Sequence, residues 1–226
     1  EQNIKFHKLG LVVVDEQHKF GVFQRLALKQ KASRAPHYLL MTATPIPRTL
    51  SMTIYGDMEI SVIADKPAGR LPIKTLWLPE AKREEFYNWM DKELQRGLQA
   101  FVVCPMIENS SEMAAKLSSV LSRHEVGLLH GRMKSPEKAK IMQRFKAGEI
   151  KLLVSTTVIE VGVDVPNACF MVIENADRFG LAQLHQLRGR VGRSDKQSYC
   201  LLFTESKNHE THQRLKAMEK IHVGAQ

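Results

Sequence analysis

Short apolar, β-branched runs alternate along this chain with longer stretches in which apolar residues return every three to four positions. That rhythm is the signature of a parallel sheet covered by helices. Strands are expected at 9–14 (LGLVVV), 37–42, 73–78, 99–104 (QAFVVC), 126–129, 151–155 (KLLVS), 169–174 and 198–203 (SYCLLF). Between them, 80–95, 111–123 and 136–147 have amphipathic helical spacing. Ser135-Pro136-Glu137 reads as a helix start, with Ser as cap, Pro in the first turn and Glu against the dipole. A last helix, about 207–221, is mostly polar and is expected at the surface or as a connector. Lys66-Pro67-Ala68-Gly69-Arg70-Leu71-Pro72 interrupts the alternation and reads as a linker. Residues 69–205 then carry enough strands for a complete doubly wound α/β domain. Residues 1–68 look like the tail end of a domain, and 206–226 like a trailing helix.

Composition narrows the class. Hydrophobic residues are 43% and charged residues 25%, the balance of a globular chain rather than a disordered one. No apolar run reaches the roughly 18 residues that suggest a bilayer span, so no membrane role is expected. The start has no signal-peptide pattern, and without an initiator Met it suggests a piece of a longer protein. Cys104, Cys169 and Cys200 lie far apart in apolar runs, as buried free thiols do, which suits a reducing cytoplasm. The net charge of +9 favours a polyanionic partner. Residues 1–69 hold nine basic and six acidic side chains, so the excess is spread out and any binding surface must be built by the fold.

Four segments carry candidate chemistry. LVVVDEQH (11–18) is an apolar strand ending in Asp15 and Glu16, at the strand end where open α/β sheets bind ligands. One carboxylate can hold Mg2+ while its neighbour orients a water; a solvated strand end would look similar. In MTATPIPRT (41–49), Thr42 and Thr44 either relay a nucleotide-dependent shift or simply cap a helix. STTVIEVGVDVPNA (155–168) offers Thr156 and Thr157 as a phosphate cradle and Asp164 as a hydrogen-bond acceptor. His130-Gly131-Arg132 is a second phosphate-contacting turn or an ordinary loop. In QLRGRVGR (186–193), glycines separate Arg188, Arg190 and Arg193 behind Gln186. A turn and helix start with outward guanidinium groups are expected there, either as arginine fingers on a γ-phosphoryl group or as a basic patch. No GxxxxGK[ST] occurs, so the loop that cradles the β- and γ-phosphates is not in this sequence. On its own the chain is not expected to hydrolyse ATP.

In their order, these segments resemble the later motifs of superfamily 2 helicases: DEQH as motif II, TAT as III, TTVIEVGVD as V and QLRGRVGR as VI. The phrases DEQHKFGV, MTATPIPRTL, GLLHGRMK and FGLAQLHQLRGRVGR resemble the RecG family of branched-DNA translocases. The transcription-repair coupling factor Mfd shares some of them but differs at motif II. A non-catalytic DNA-binding module is the reading from a different class.

The resemblance implies a RecA-like doubly wound parallel sheet: one complete helicase lobe (69–205), preceded by the C-terminal part of the first lobe (1–68). It implies ATP and Mg2+ as cofactors, with Asp15 the metal-linked acid and Glu16 activating water. Gln17, His18, Thr42, Thr44, Asp164 and Gln186 would couple nucleotide state to movement, and Arg190 and Arg193 would be the γ-phosphate fingers. His130, Gly131, Arg132, Thr156 and Thr157 would touch the DNA backbone. Branched double-stranded DNA is the implied partner, with a wedge domain and the Walker A loop supplied upstream by the same protein. A cytoplasmic monomer completes the expectation.

Overall fold

The apolar runs fold as strands, most of them shorter than the run that carries them. The computed structural model describes residues 8–15, 36–42, 59–61, 63, 71–156 and 165–220. Glu16, Gln17, His18, Thr44, Thr157 and Asp164 lie outside these described residues. The chain divides into two compact units, Glu1–Ile60 and Ser61–Gly224.

In the first unit β1 (Leu11–Val14) and β2 (His37–Leu40) pair in parallel, Val14 opposite Leu40. Val12 and Val14 are buried and Leu11 and Val13 exposed, the period-2 alternation of a strand with one covered face.

The second unit runs β3 (Lys74–Trp77), α1 (Arg83–Gln95), β4 (Gln99–Val103), α2 (Ile107–Val120), β5 (Val126–Leu129) and α3 (Ser135–Lys146). It continues through β6 (Leu152–Ser155), β7 (Ala168–Ile173), α4 (Leu181–Arg188), β8 (Tyr199–Leu202) and α5 (His209–Lys220). Its six strands are all parallel in the order β3-β8-β7-β4-β6-β5. The expected α/β, doubly wound architecture is therefore present. Strands β4, β6 and β7 are buried along their whole length, because helices cover both faces. Alternate residues of one strand serve different cores. Phe101 and Val103 pack with Phe145, Leu184 and Leu215 of α3, α4 and α5, whereas Ala100 and Val102 pack with Phe86, Met90 and Leu117 of α1 and α2.

Four details depart from the sequence pattern. Helix α2 starts at Ile107, ahead of the expected 111. Ser135 is inside α3 rather than its cap; Lys134 takes the cap position, and its N–H donates to Glu137 Oε2 at 3.3 Å. Helix α4 was not expected, since eight residues contribute only Leu184, Leu187 and Arg188 to the interior, too few for a clear period. The trailing helix α5 is no mere connector: Leu215 and Met218 are fully buried in the core. Its Glu219 Oε1 accepts the Trp77 N–H of edge strand β3 at 2.6 Å, and its His212 ring lies 4.5 Å from that of Trp77.

Candidate functional site

In the first unit, Asp15 directly follows β1 and Thr42 comes two residues after β2, so both stand at the carboxyl edge of this parallel pair. The Met41 N–H donates to the Val14 carbonyl at 2.8 Å, which extends the ladder to the threshold of both residues. Asp15 and Thr42 are exposed. Among the described residues no group of three or more His, Cys, Asp or Glu side chains gathers to form a metal cage. A carboxylate at a strand end nevertheless suits Mg2+, which keeps most of its waters and takes its other ligands from phosphate oxygens.

The second unit presents two separate edges. At the carboxyl edge, His130-Gly131-Arg132 leaves β5 and Thr156 leaves β6, and the Thr156 N–H donates to the Leu129 carbonyl at 3.3 Å. These two candidate phosphate turns, read separately in the sequence, are neighbours in space because β5 pairs with β6. Lys138 of α3 pins the first turn by donating from Nζ to the Gly131 carbonyl at 2.9 Å. Arg132 is exposed, with Glu108 of α2 at 3.8 Å. His130 Nδ1 is buried without a hydrogen-bond partner.

The arginine segment lies at the opposite, amino edge. Helix α4 ends at Arg188, Gly189 caps it, and the chain turns through Arg190–Arg193 before entering β8. The Arg190 N–H donates to the Leu187 carbonyl at 3.0 Å, and Gly192 has φ +76°, a conformation L side chains rarely adopt. The segment is therefore a helix end, not the helix start expected from its glycines. Arg190 and Arg193 are half-buried on this turn, and Gln186 is half-buried one helical turn back. Arg188 departs from the expected outward array. It is buried, and its Nη1 donates to Thr75 Oγ1 at 3.4 Å and to the Met218 carbonyl at 3.3 Å. Its Nη2 lies 2.9 Å from His185 Nδ1. Burial, and then the Arg188 charge, push His185 below its ordinary value, so the ring stays neutral and accepts.

Residues 81–195, half of the chain, match the family described as Helicase conserved C-terminal domain. The chain belongs to this family. Curated relatives extend the similarity along this helicase domain and beyond it. ATP-dependent DNA helicase RecG of Streptococcus pneumoniae serotype 4 is 51% identical over 99% of the chain and 35% of that relative. RecG of Bacillus subtilis is 46% identical over 99% of the chain and 34% of that relative. The chain thus spans about a third of the length of these relatives. A solved structure described as RecG bound to three-way DNA junction superposes with TM-score 0.78 at 43% identity, over 96% of this chain and 29% of that one. The resemblance to RecG thus extends to the fold, a RecA-like helicase lobe preceded by part of another. A second structure, S. cerevisiae Dbp5 bound to RNA and ADP BeF3, shares the fold at TM-score 0.70 and 19% identity, over 96% of this chain and 58% of that one.

One pair in the helicase domain escaped sequence reasoning. Glu174, at the carboxyl end of β7, is buried and bonded in bidentate fashion by Arg83 at 2.6 and 2.9 Å. The Arg83 guanidinium also lies 4.0 Å from the Phe203 ring centroid and reaches Glu80 Oε1 at 2.6 Å. Burial alone would lower Arg83, but the paired carboxylates outweigh it and hold the group above its ordinary value. The signal was present, since a charged residue ends the apolar run ACFMVI as Asp15 ends LVVV; the partner, 91 residues away, was not visible. The three thiols are buried, and burial pushes Cys104 and Cys200 up to about 12, so neither is a nucleophile at neutral pH.

Proposed function

We propose that this chain is the nucleotide-sensing and DNA-gripping part of an ATP-driven double-stranded DNA translocase that remodels branched DNA in repair and recombination. The observation that carries this reading is the separation of candidate chemistry onto two edges of one sheet. Arg190 and Arg193 stand at the amino edge; His130, Gly131, Arg132 and Thr156 stand at the carboxyl edge. Helix α4 runs from one edge to the other, so a shift of the arginine turn and a shift of the phosphate turns belong to one rigid body. The RecG structure bound to a three-way junction supports branched DNA as the partner.

In this reading Arg190 and Arg193 stabilise charge on the γ-phosphoryl group, and Gln186 bridges toward the motif II side. Asp15 would hold Mg2+, which supplies charge neutralisation at the phosphates, while Glu16 orients the attacking water. Gln17, His18, Thr42, Thr44 and Asp164 couple nucleotide state to lobe movement. Thr157 joins Thr156 on the DNA backbone. The boundaries at 68/69 and 205/206 separate the two lobes and the trailing helix. The sequence contains no GxxxxGK[ST], so the purified chain is expected to bind DNA weakly and not to turn over ATP. The parent protein would be a cytoplasmic monomer, a setting in which three free buried thiols remain reduced.

The test is Arg190→Ala in the full-length protein. DNA-stimulated ATP hydrolysis is expected to be abolished with DNA affinity retained; unchanged turnover would sink the assignment.

A further inference from the structure

The turn that carries Arg190 and Arg193 rests on four consecutive residues at the entry to the six-stranded sheet. Gln197 Nε2 donates to the Pro72 carbonyl at 2.8 Å. Gly192 lies directly against Ile73: a Cβ built on that glycine would come 2.8 Å from Ile73 Cγ1 and 3.0 Å from Cδ1. The Lys74 N–H donates to the Ser198 carbonyl at 3.0 Å, and Arg188 Nη1 donates to Thr75 Oγ1 at 3.4 Å. Both flanks and the middle of the arginine turn are therefore registered on residues 72–75, which begin at the last residue of the linker segment read at 66–72.

These contacts are stronger as positioning devices than as sources of stability. Ile73 is half-buried at the margin of the core, and β3 is the edge strand of the sheet. The side chain at 73 nevertheless sets the height at which the Gly192 backbone sits. Only a residue without a Cβ fits there, because the φ is positive and the space is filled. Arg190 and Arg193 flank that glycine within two residues on either side, so their reach is set by the same contact.

We propose that Pro72, Ile73 and Thr75 form a seat that positions the arginine turn, with Ile73 as the central positioning residue. The segment by which the chain enters this lobe and the turn that senses nucleotide then move as one piece. This rests on the assignment of Arg190 and Arg193 to nucleotide.

Steady-state ATP hydrolysis by the full-length protein, with and without branched DNA, tests it. Truncation in Ile73→Ala is expected to lower DNA-stimulated kcat about tenfold, because misplacement of a transition-state group by a fraction of an ångström is costly. The KM for ATP and the Kd for DNA should stay within about twofold, because ground-state binding does not depend on the fingers. Ile73→Leu should recover most of the loss. Gly192→Ala should reproduce the kcat loss if it folds, and Ile73→Ala decides the matter if it does not. Wild-type kcat in Ile73→Ala beside an inactive Arg190→Ala overturns the seat and leaves the finger assignment standing. A joint fall in kcat, DNA affinity and melting temperature that Ile73→Leu does not recover also overturns it, since that is ordinary loss of packing. Full turnover in Arg190→Ala overturns both.

Discussion

Arg188 donates from Nη1 to the main-chain carbonyl of Met218 at 3.3 Å, so the end of α4 and the last turn of α5 share one buried guanidinium. Helix α5 is also held by Arg214, whose Nη2 donates to the Asp177 carbonyl at 2.7 Å in the turn before α4. The trailing helix is thus tied to both ends of the motif VI helix.

Replacing that guanidinium by a chain of similar length without donors, Arg188→Met, leaves the Met218 carbonyl and the Thr75 hydroxyl without their partner. The cost is expected at about 1–3 kcal/mol, the desolvation penalty of buried polar groups left unpaired. Hydrogen exchange should quicken in α5 more than in α1, which lies on the other face of the sheet. Equal protection in both helices would contradict the tie.

The Arg83–Glu174 pair makes a different prediction. Glu174→Ala leaves the half-buried Arg83 guanidinium with only the exposed Glu80 as its carboxylate partner and is expected to cost about 1–3 kcal/mol. The double change Arg83→Met with Glu174→Leu should cost much less, because neither charge then has to be desolvated. A thermal-denaturation cycle over the four proteins measures the coupling; additive losses would show that the pair is not acting as a unit.

Stability should fall as the solution is acidified below neutrality, and His185 should contribute to that fall. Its folded value is depressed, first by burial and then by Arg188. The unfolded chain takes up the proton near its ordinary value of about 6.5 while the native ring stays neutral. Native stability is therefore complete above that value and is lost as pH drops from there toward the lower folded value. His185→Asn retains an acceptor for Arg188 but does not titrate, so it should flatten the stability profile between about pH 7 and 5. An unchanged slope would remove His185 from the account.

Salt dependence should distinguish the two edges of the sheet. Arg132, exposed beside the His130-Gly131 turn, is assigned a phosphate contact. Arg132→Ala should lower the slope of log K against log salt by about one contact in a DNA titration. Arg190→Ala, at the other edge, should leave that slope unchanged. A reduced slope in Arg190→Ala would mean that the arginine turn also contacts DNA.

Much of the fold was legible because a sheet buried on both faces needs unbroken apolar strands, and QAFVVC and KLLVS are short apolar runs of that kind. His130 and Thr156 were each legible as following a strand end, and only strand order brings them together by placing β5 beside β6. Helix α4 was obscured because its second turn is occupied by Gln186 and Arg188, which do not advertise a buried face. Glu174 shows the same limit. A lone acid after an apolar run is ambiguous until its cation is found.

For QLRGRVGR, sequence by itself determined the residue types: guanidinium groups spaced by glycines, in a lobe whose strand pattern admits few folds. Tertiary structure alone decided which arginine is buried. Arg188 and Arg190 are two residues apart, yet one turns into the core to meet Thr75, His185 and Met218, while the other remains half-buried on the turn. The helix end at Gly189, with a right-handed φ of −67°, separates them, and the left-handed Gly192 follows Arg190. The direction of a side chain leaving such a turn depends on what the distant chain has placed beneath it, here Ile73 and the last turn of α5.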